Sequence, residues 1–257
     1  MHQLHQISQE TLTIESIREI MDHEQKLQLS HDAVTLIEKC RAYLDQKIAA
    51  SDTPIYGVNT GFGSLYNKNI SKKDLNKLQE NLVKSHACGT GDEVSREIVK
   101  LMLLLKIQSL SYGNSGVQLA TINRLIDFYN HDICPVVYEM GSLGASGDLA
   151  PLAHLVLPLL GLGEVDYQGK RISGASLNEL MKWEPIEFRA KEGLALLNGT
   201  QLMGAIGVYS LIQAERILEL SNIIGAISID AFDGRIEAFD ESVHRIRPQR
   251  GQVMIAK

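Results

Sequence analysis

Gly141-Ser-Leu-Gly-Ala-Ser-Gly-Asp-Leu-Ala-Pro-Leu152 is the stretch on which the reading of this 257-residue chain turns. Three glycines within seven residues let the backbone take positive φ and approach itself closely. Asp148 and Pro151 suit the first turn of a helix, where a carboxylate complements the dipole and a missing N–H costs little. The stretch predicts a tight loop running into a buried helix from Asp148 to Leu160, with Pro158 near its end.

Ala145-Ser146-Gly147 permits more than a loop. If the turn presses the Gly147 nitrogen onto the Ala145 carbonyl carbon, a five-membered ring can close, because glycine has no Cβ in the way. Loss of the Ser146 hydroxyl as water then leaves an exocyclic methylene conjugated to that ring. Such a group is a strong electrophile built from backbone alone, and the helix starting near Asp148 offers it a positive dipole end. Gly174-Ala175-Ser176-Leu177 is an internal control, since leucine replaces the ring-closing glycine. Taken alone, Ala-Ser-Gly is an ordinary loop-to-helix junction.

Three further blocks stand apart from the helical pattern around them. Tyr56-Gly-Val-Asn-Thr-Gly-Phe-Gly63 carries too many glycines for a helix and lacks the lysine and hydroxyl of a phosphate loop. Taken alone, Tyr56 is a half-buried packing residue. Ser85-His-Ala-Cys-Gly-Thr-Gly91 follows a helix with Leu75, Leu78 and Leu82 on one face, and His86 there reads as a cap for the last carbonyls. In Leu194-Ala-Leu-Leu-Asn-Gly-Thr200, Asn198-Gly199 signals a turn, and an asparagine in an uncharged run needs hydrogen-bond partners.

Together the four blocks resemble the aromatic amino acid ammonia-lyases, in that family's order and over most of the chain. The resemblance implies a mainly α fold with small β hairpins. The fold it implies is the N-terminal helical domain of the aromatic ammonia-lyase (fumarase/aspartase-like) fold, over 1–195, plus the start of a central helical bundle, over 196–257. It also implies the cofactor methylidene-imidazolone (MIO), formed autocatalytically from Ala145, Ser146 and Gly147. By the same resemblance Tyr56 lies beside that group and orients or deprotonates the substrate, Asn198 supports ring formation, and His86 contacts the substrate ring. The histidine-acting members resemble the chain most, which implies non-oxidative deamination of L-histidine to urocanate and ammonia. Tyrosine or phenylalanine ammonia-lyase or aminomutase activity is the alternative.

Family members continue through a long helical bundle that supplies further active-site residues, and their active sites combine residues of several subunits in a homotetramer. The chain is therefore expected to be the N-terminal part of a lyase and inactive by itself, or a non-catalytic truncated domain. Two departures weaken the substrate assignment and leave the chemistry intact. Tyr138 stands where proline is common, and Gly113-Asn-Ser-Gly116 differs from the usual form of that loop.

Composition fits this picture. A formal net charge of −6 argues against nucleic acid as a main partner. Cys40, Cys88 and Cys134 are an odd, widely spaced set that indicates neither disulfides nor a metal site, so a reducing, cytoplasmic setting is expected. Met-His-Gln-Leu-His-Gln at the start has no secretory pattern. Gly193 to Ala214 carries no charge and is long enough to span a bilayer. Its Asn198, Gln201 and Gln213 would be costly in hydrocarbon, so a buried helix surrounded by others is expected instead. The expected partner is thus a small amino acid substrate, with no nucleic acid and no membrane.

Elsewhere the opening third reads helical, with Thr13 and Ser30 as hydroxyl starts for apolar periodic runs. Ser71-Lys-Lys-Asp74 resembles a capping box, and Ser95 is placed to cap a helix over Arg96 to Leu110 whose apolar run suggests burial nearly all round. Gly163 to Ile172 reads as a hairpin. Glu187 to Glu192 reads as a polar connection. A long helix from Gln201 to Asp230, bent at Gly225, precedes a charged, irregular segment from Phe232 to Arg250. Another helix begins near Gln252.

Overall fold

The computed structural model describes residues 3–50, 53–61, 70–143 and 146–257. These form two compact units, Met1–Tyr209 and Ser210–Lys257. The architecture is mainly helical with a few short strands, as the sequence predicts.

The first unit opens with β1 (Leu4–Ile7), α1 (Ile14–Asp22), β2 (Lys26–Leu29) and α2 (His31–Ala50). Thr13 starts α1 with a reciprocal cap: its hydroxyl accepts from the Ser16 amide, and the Ser16 hydroxyl accepts from the Thr13 amide. Ser30 likewise accepts from the Ala33 amide at 3.2 Å at the start of α2. The helical reading of this region misses a parallel pair, β1 against β2 in register from Leu4↔Lys26 to Ile7↔Leu29. Distant partners fix it. Asn130 exchanges both hydrogen bonds with the Leu27 backbone, at 2.7 and 2.9 Å.

Next come α3 (Leu75–His86), β3 (Thr90–Glu93), α4 (Arg96–Ser111) and α5 (Leu119–Asn130). Ser71 does not complete a capping box; its hydroxyl donates to the Asp74 carboxylate at 2.6 Å, ahead of a 3-10 turn at Lys72–Asp74. Ser95 holds the first position before α4 without a side-chain cap bond. As expected, α4 is buried nearly all round: Leu101, Met102, Leu103, Leu104 and Ile107 are inaccessible, and it packs against α2 and α5. Such burial is the main source of stability for a helix of this kind.

The chain continues through β4 (Cys134–Pro135) and β5 (Tyr138–Met140) to α6 (Leu149–Val156). At Pro158 the helix tightens into a 3-10 turn, Leu157–Leu160, closed by Gly161 at φ 74°. The predicted hairpin is β6 (Glu164–Tyr167) against β7 (Lys170–Ser173), and β4 pairs with β6 at its other edge. Helices α7 (Gly174–Met181) and α8 (Glu192–Leu197) follow.

The reading of Glu187 to Glu192 as a polar connection is corrected by burial. Phe188, Ala190 and Glu192 all lie in the core. Glu192 accepts from the Gln118 amide and side chain, the Thr121 hydroxyl and the Arg189 amide, all within 2.7–2.9 Å. Burial pushes its carboxyl upward, and those donors oppose the shift.

Helix α9 (Gln201–Ala231) runs unbroken through Gly225. Leu202, Ala205 and Ile212 are buried, whereas Met203, Ile206 and Leu211 are exposed. This corrects the expectation of a helix covered on every side. Among the described residues, no helix is long and apolar enough to cross a membrane. Within the second unit, the segment expected to be irregular forms a 3-10 turn, Ile236–Phe239, and α10 (Glu241–Ile246), started by Asp240 accepting from the Ser242 amide. The terminal helix α11 spans Arg250–Ala256.

Candidate active site

Two turns meet at the N-terminal ends of α6 and α9. Gly147 pairs with Gly199 as an isolated parallel bridge, and the Asp148 amide donates to the Gly199 carbonyl at 2.8 Å. Gly147 has φ +84°, and a Cβ there would lie 2.1 Å from the Gly199 oxygen. Only glycine fits, for reasons of both backbone conformation and space. Ser146 is exposed directly before it. Ala145, the third member of the predicted ring, lies outside the described residues, as does the Phe62-Gly63 end of the Tyr56 block.

Asp148 has a different role from the one its position predicts. It occupies the position before α6 but makes no cap bond to that helix. Its carboxylate, 3% exposed, instead accepts from the Leu202 and Met203 amides at 2.9 and 3.0 Å and from the Ser142 hydroxyl at 2.8 Å. The first amides of α9 have no partners within that helix, so a buried anion satisfies them. One aspartate thereby ties the loop, α6 and α9 together.

Asn198 ends α8 and leaves its side chain at the surface, where its amide donates to the Leu194 carbonyl at 3.4 Å. Its own carbonyl accepts from Lys106 Nζ at 3.0 Å, and Lys106 also reaches the Ala195 carbonyl at 3.2 Å. Burial pushes Lys106 down to about 7, while the nearby Asp148 carboxylate opposes the shift. This lysine escaped the sequence reading. The available signal was a single cation inside the apolar run Leu101 to Leu110.

His86 sits at the end of α3, where its Nδ1 contacts the Leu82 carbonyl at 2.8 Å and the Ser85 hydroxyl at 3.1 Å. Donation to a carbonyl puts the hydrogen on Nδ1 and leaves Nε2 an acceptor in the neutral ring. The capping role read from the sequence is therefore present. The loop that follows is tied to α6, because the Gly89 amide donates to His154 Nε2 at 3.0 Å. Tyr138, one of the departures from the family pattern, packs edge-on against His154 with centroids 5.0 Å apart.

The Gly89 bond requires an unprotonated Nε2, and burial holds His154 below the ordinary imidazole value of 6.5. As pH falls through that value the unfolded chain binds the proton first, so stability is full above about 6.5 and declines below it. Urea unfolding at a series of pH values should show this decline. His154→Gln, whose amide oxygen still accepts, should flatten it; His5, also lowered by burial, titrates in both proteins. A variant with the parent's pH profile would remove His154 as the cause.

Tyr56 is exposed at the head of a turn over 56–59 whose other residues, Gly57, Val58 and Asn59, are buried. Asn59 organises that turn, accepting from the Ile55 amide at 2.6 Å and donating to the Thr53 carbonyl at 3.0 Å. Val58 anchors it in a cluster with Leu44, Leu75 and Ala190. The geometry thus joins Ser146-Gly147 to Asn198-Gly199 directly and docks the His86 loop on α6, whereas the Tyr56 turn is fixed through α2 and α3. A separate cleft of about 510 Å³, lined by Lys73, Lys77, Lys84 and Phe188 among others, contains none of these residues.

The family profile described as aromatic amino acid lyase matches residues 12–257. A histidine ammonia-lyase of Legionella pneumophila strain Corby is 46% identical over 246 residues, covering 96% of this chain and 48% of its own length. Among solved structures, the histidine ammonia-lyase of Trypanosoma cruzi superposes with a TM-score of 0.88 at 32% identity, over 99% of this chain and 49% of that one. Tyrosine aminomutase of Streptomyces globisporus gives 0.89 at 33% identity, over 98% and 47%. The chain spans about half the length of these relatives. With the glycine-locked turn, the ordered blocks and the helical frame all in agreement, the chain belongs to the aromatic amino acid lyase family.

Proposed function

We propose that the protein carrying this chain removes ammonia non-oxidatively from L-histidine, giving urocanate, with MIO formed from Ala145, Ser146 and Gly147. The observation that carries the reading is the Gly147–Gly199 pairing. It holds the ring-forming glycine at positive φ against the turn of Asn198, where no Cβ fits. The control tripeptide is different: Ala175, Ser176 and Leu177 lie inside α7.

Removal of an α-amino group faces a poor leaving group and a weakly acidic β-proton. MIO supplies the electrophile that activates the amine. The chain's own residues do the rest of the work assigned here. Gly147 leaves its nitrogen unobstructed for ring closure, Asn198 borders the ring-forming segment, and Tyr56 assists proton transfer or positioning. His86, with Nδ1 committed to Leu82, presents an acceptor nitrogen suited to an imidazole N–H. The similarity to a tyrosine aminomutase supports a second reading, because the same nitrogen can accept from a phenol hydroxyl.

The test is ammonia release by the full-length protein given histidine, tyrosine and phenylalanine separately, with each unsaturated product followed by ultraviolet absorbance. Histidine should be preferred. His86→Phe should lower the histidine rate by about 10- to 100-fold, the equivalent of one substrate hydrogen bond. Residues 1–257 alone should release no ammonia, since Tyr56, Ser146 and Asn198 are exposed rather than enclosed. Preference for tyrosine would replace the substrate and leave the reaction class standing.

A further inference from the structure

An ammonium group that is 1% exposed in the middle of an apolar helix is costly unless fully partnered. Lys106 meets two carbonyls, Ala195 O at 3.2 Å and Asn198 O at 3.0 Å. Its first contact caps α8, whose last carbonyls lack partners within the helix. A cap alone would need nothing more. The second contact goes past the helix to the peptide between Asn198 and Gly199.

That peptide has a second anchor close by. The Gly199 carbonyl accepts from the Asp148 amide at 2.8 Å, within the segment that carries Ser146 and Gly147. Two successive carbonyls are thus held by two elements distant in sequence, α4 through a side chain and the ring-forming loop through its backbone. We propose that Lys106 is a positioning residue that locks the Asn198–Gly199 turn in register with Ser146–Gly147. This deepens the function proposed above and rests on it for its link to ring formation.

The burial of Lys106 supports the role in one further way. With its ammonium pushed down to about 7, the group changes charge near neutrality, yet a neutral amine still offers two N–H donors for two carbonyls. Both carbonyls can therefore keep a donor in either protonation state.

The experiment compares the full-length protein with Lys106→Met, using hydrogen exchange, intact mass and steady-state kinetics. Lys106→Met should keep the helical signal and the protection of α4. Exchange over 146–149 and 198–203 should accelerate at least about 10-fold, as expected when a local opening is eased. The fraction of chains that have lost two waters should fall, and kcat should drop by about 10²-fold with KM little changed. Combined with Asn198→Ala, the kinetic loss should be clearly less than additive. Parent-like exchange in both segments, or full additivity, overturns the inference. If Lys106→Met does not fold, the same exchange comparison is made on Lys106→Leu, which also lacks a donor, with the same two outcomes. An unmodified mass in the parent protein would sink the proposed function and leave the exchange pattern to decide Lys106 by itself.

Discussion

Ser146→Ala should abolish both the loss of two water molecules and ammonia release, while leaving the fold as stable as before. The methylene carbon of the proposed electrophile derives from the Ser146 side chain, so alanine cannot supply it. The expected loss in kcat is about 10³-fold or more, the scale seen when the covalent group of an active site is removed. Stability should stay within about 0.5 kcal/mol, because Ser146 is exposed. Intact mass, an ammonia assay and urea unfolding on the full-length protein measure the three quantities. A variant that keeps near-parent turnover would rule out the MIO chemistry.

Gly147→Ala should be equally silent but should also damage the fold. An alanine Cβ would stand 2.1 Å from the Gly199 oxygen, far inside contact distance, on a residue at φ +84°. Backbone strain of this kind costs about 1–3 kcal/mol, and displacement of Gly199 adds to it. The Asp148–Gly199 bond would be disturbed as well. Urea unfolding should therefore separate the two variants: both lack dehydration, and only Gly147→Ala loses stability. A Gly147→Ala protein as stable as the parent would mean that the close approach to Gly199 is not maintained.

Part of the candidate site's local structure was legible because its members sit in short, glycine-containing blocks. The glycines around Ala145-Ser146-Gly147 announce a tight loop, the four blocks together carry the family resemblance, and Asn198-Gly199 announces a turn. Their meeting was not legible. Residues 147 and 199 are brought together by α6, α8 and α9, and no local pattern encodes which turn a given glycine will touch. His86 shows the intermediate case. Its place at the end of α3 predicted the bond to Leu82, but the docking of its loop through Gly89 and His154 required the packed structure.

The sequence by itself determined the helical elements, since caps and apolar periodicity act within about four residues. Thr13, Ser30 and the run from Leu101 to Leu110 each mark their helix, and the glycine-bounded hairpin follows the same logic. Tertiary structure alone decided the fate of the charges and of the long-range pairs. Asp148 was expected to serve its own helix and serves α9. Lys106 escaped the sequence reading and Glu192 was placed in a polar connection, yet both are core residues with partners up to 92 residues away. The parallel pairing of β1 with β2 was likewise invisible. A buried charge takes its energy from whichever donors or acceptors surround it in space, and those neighbours exist only once the chain has folded.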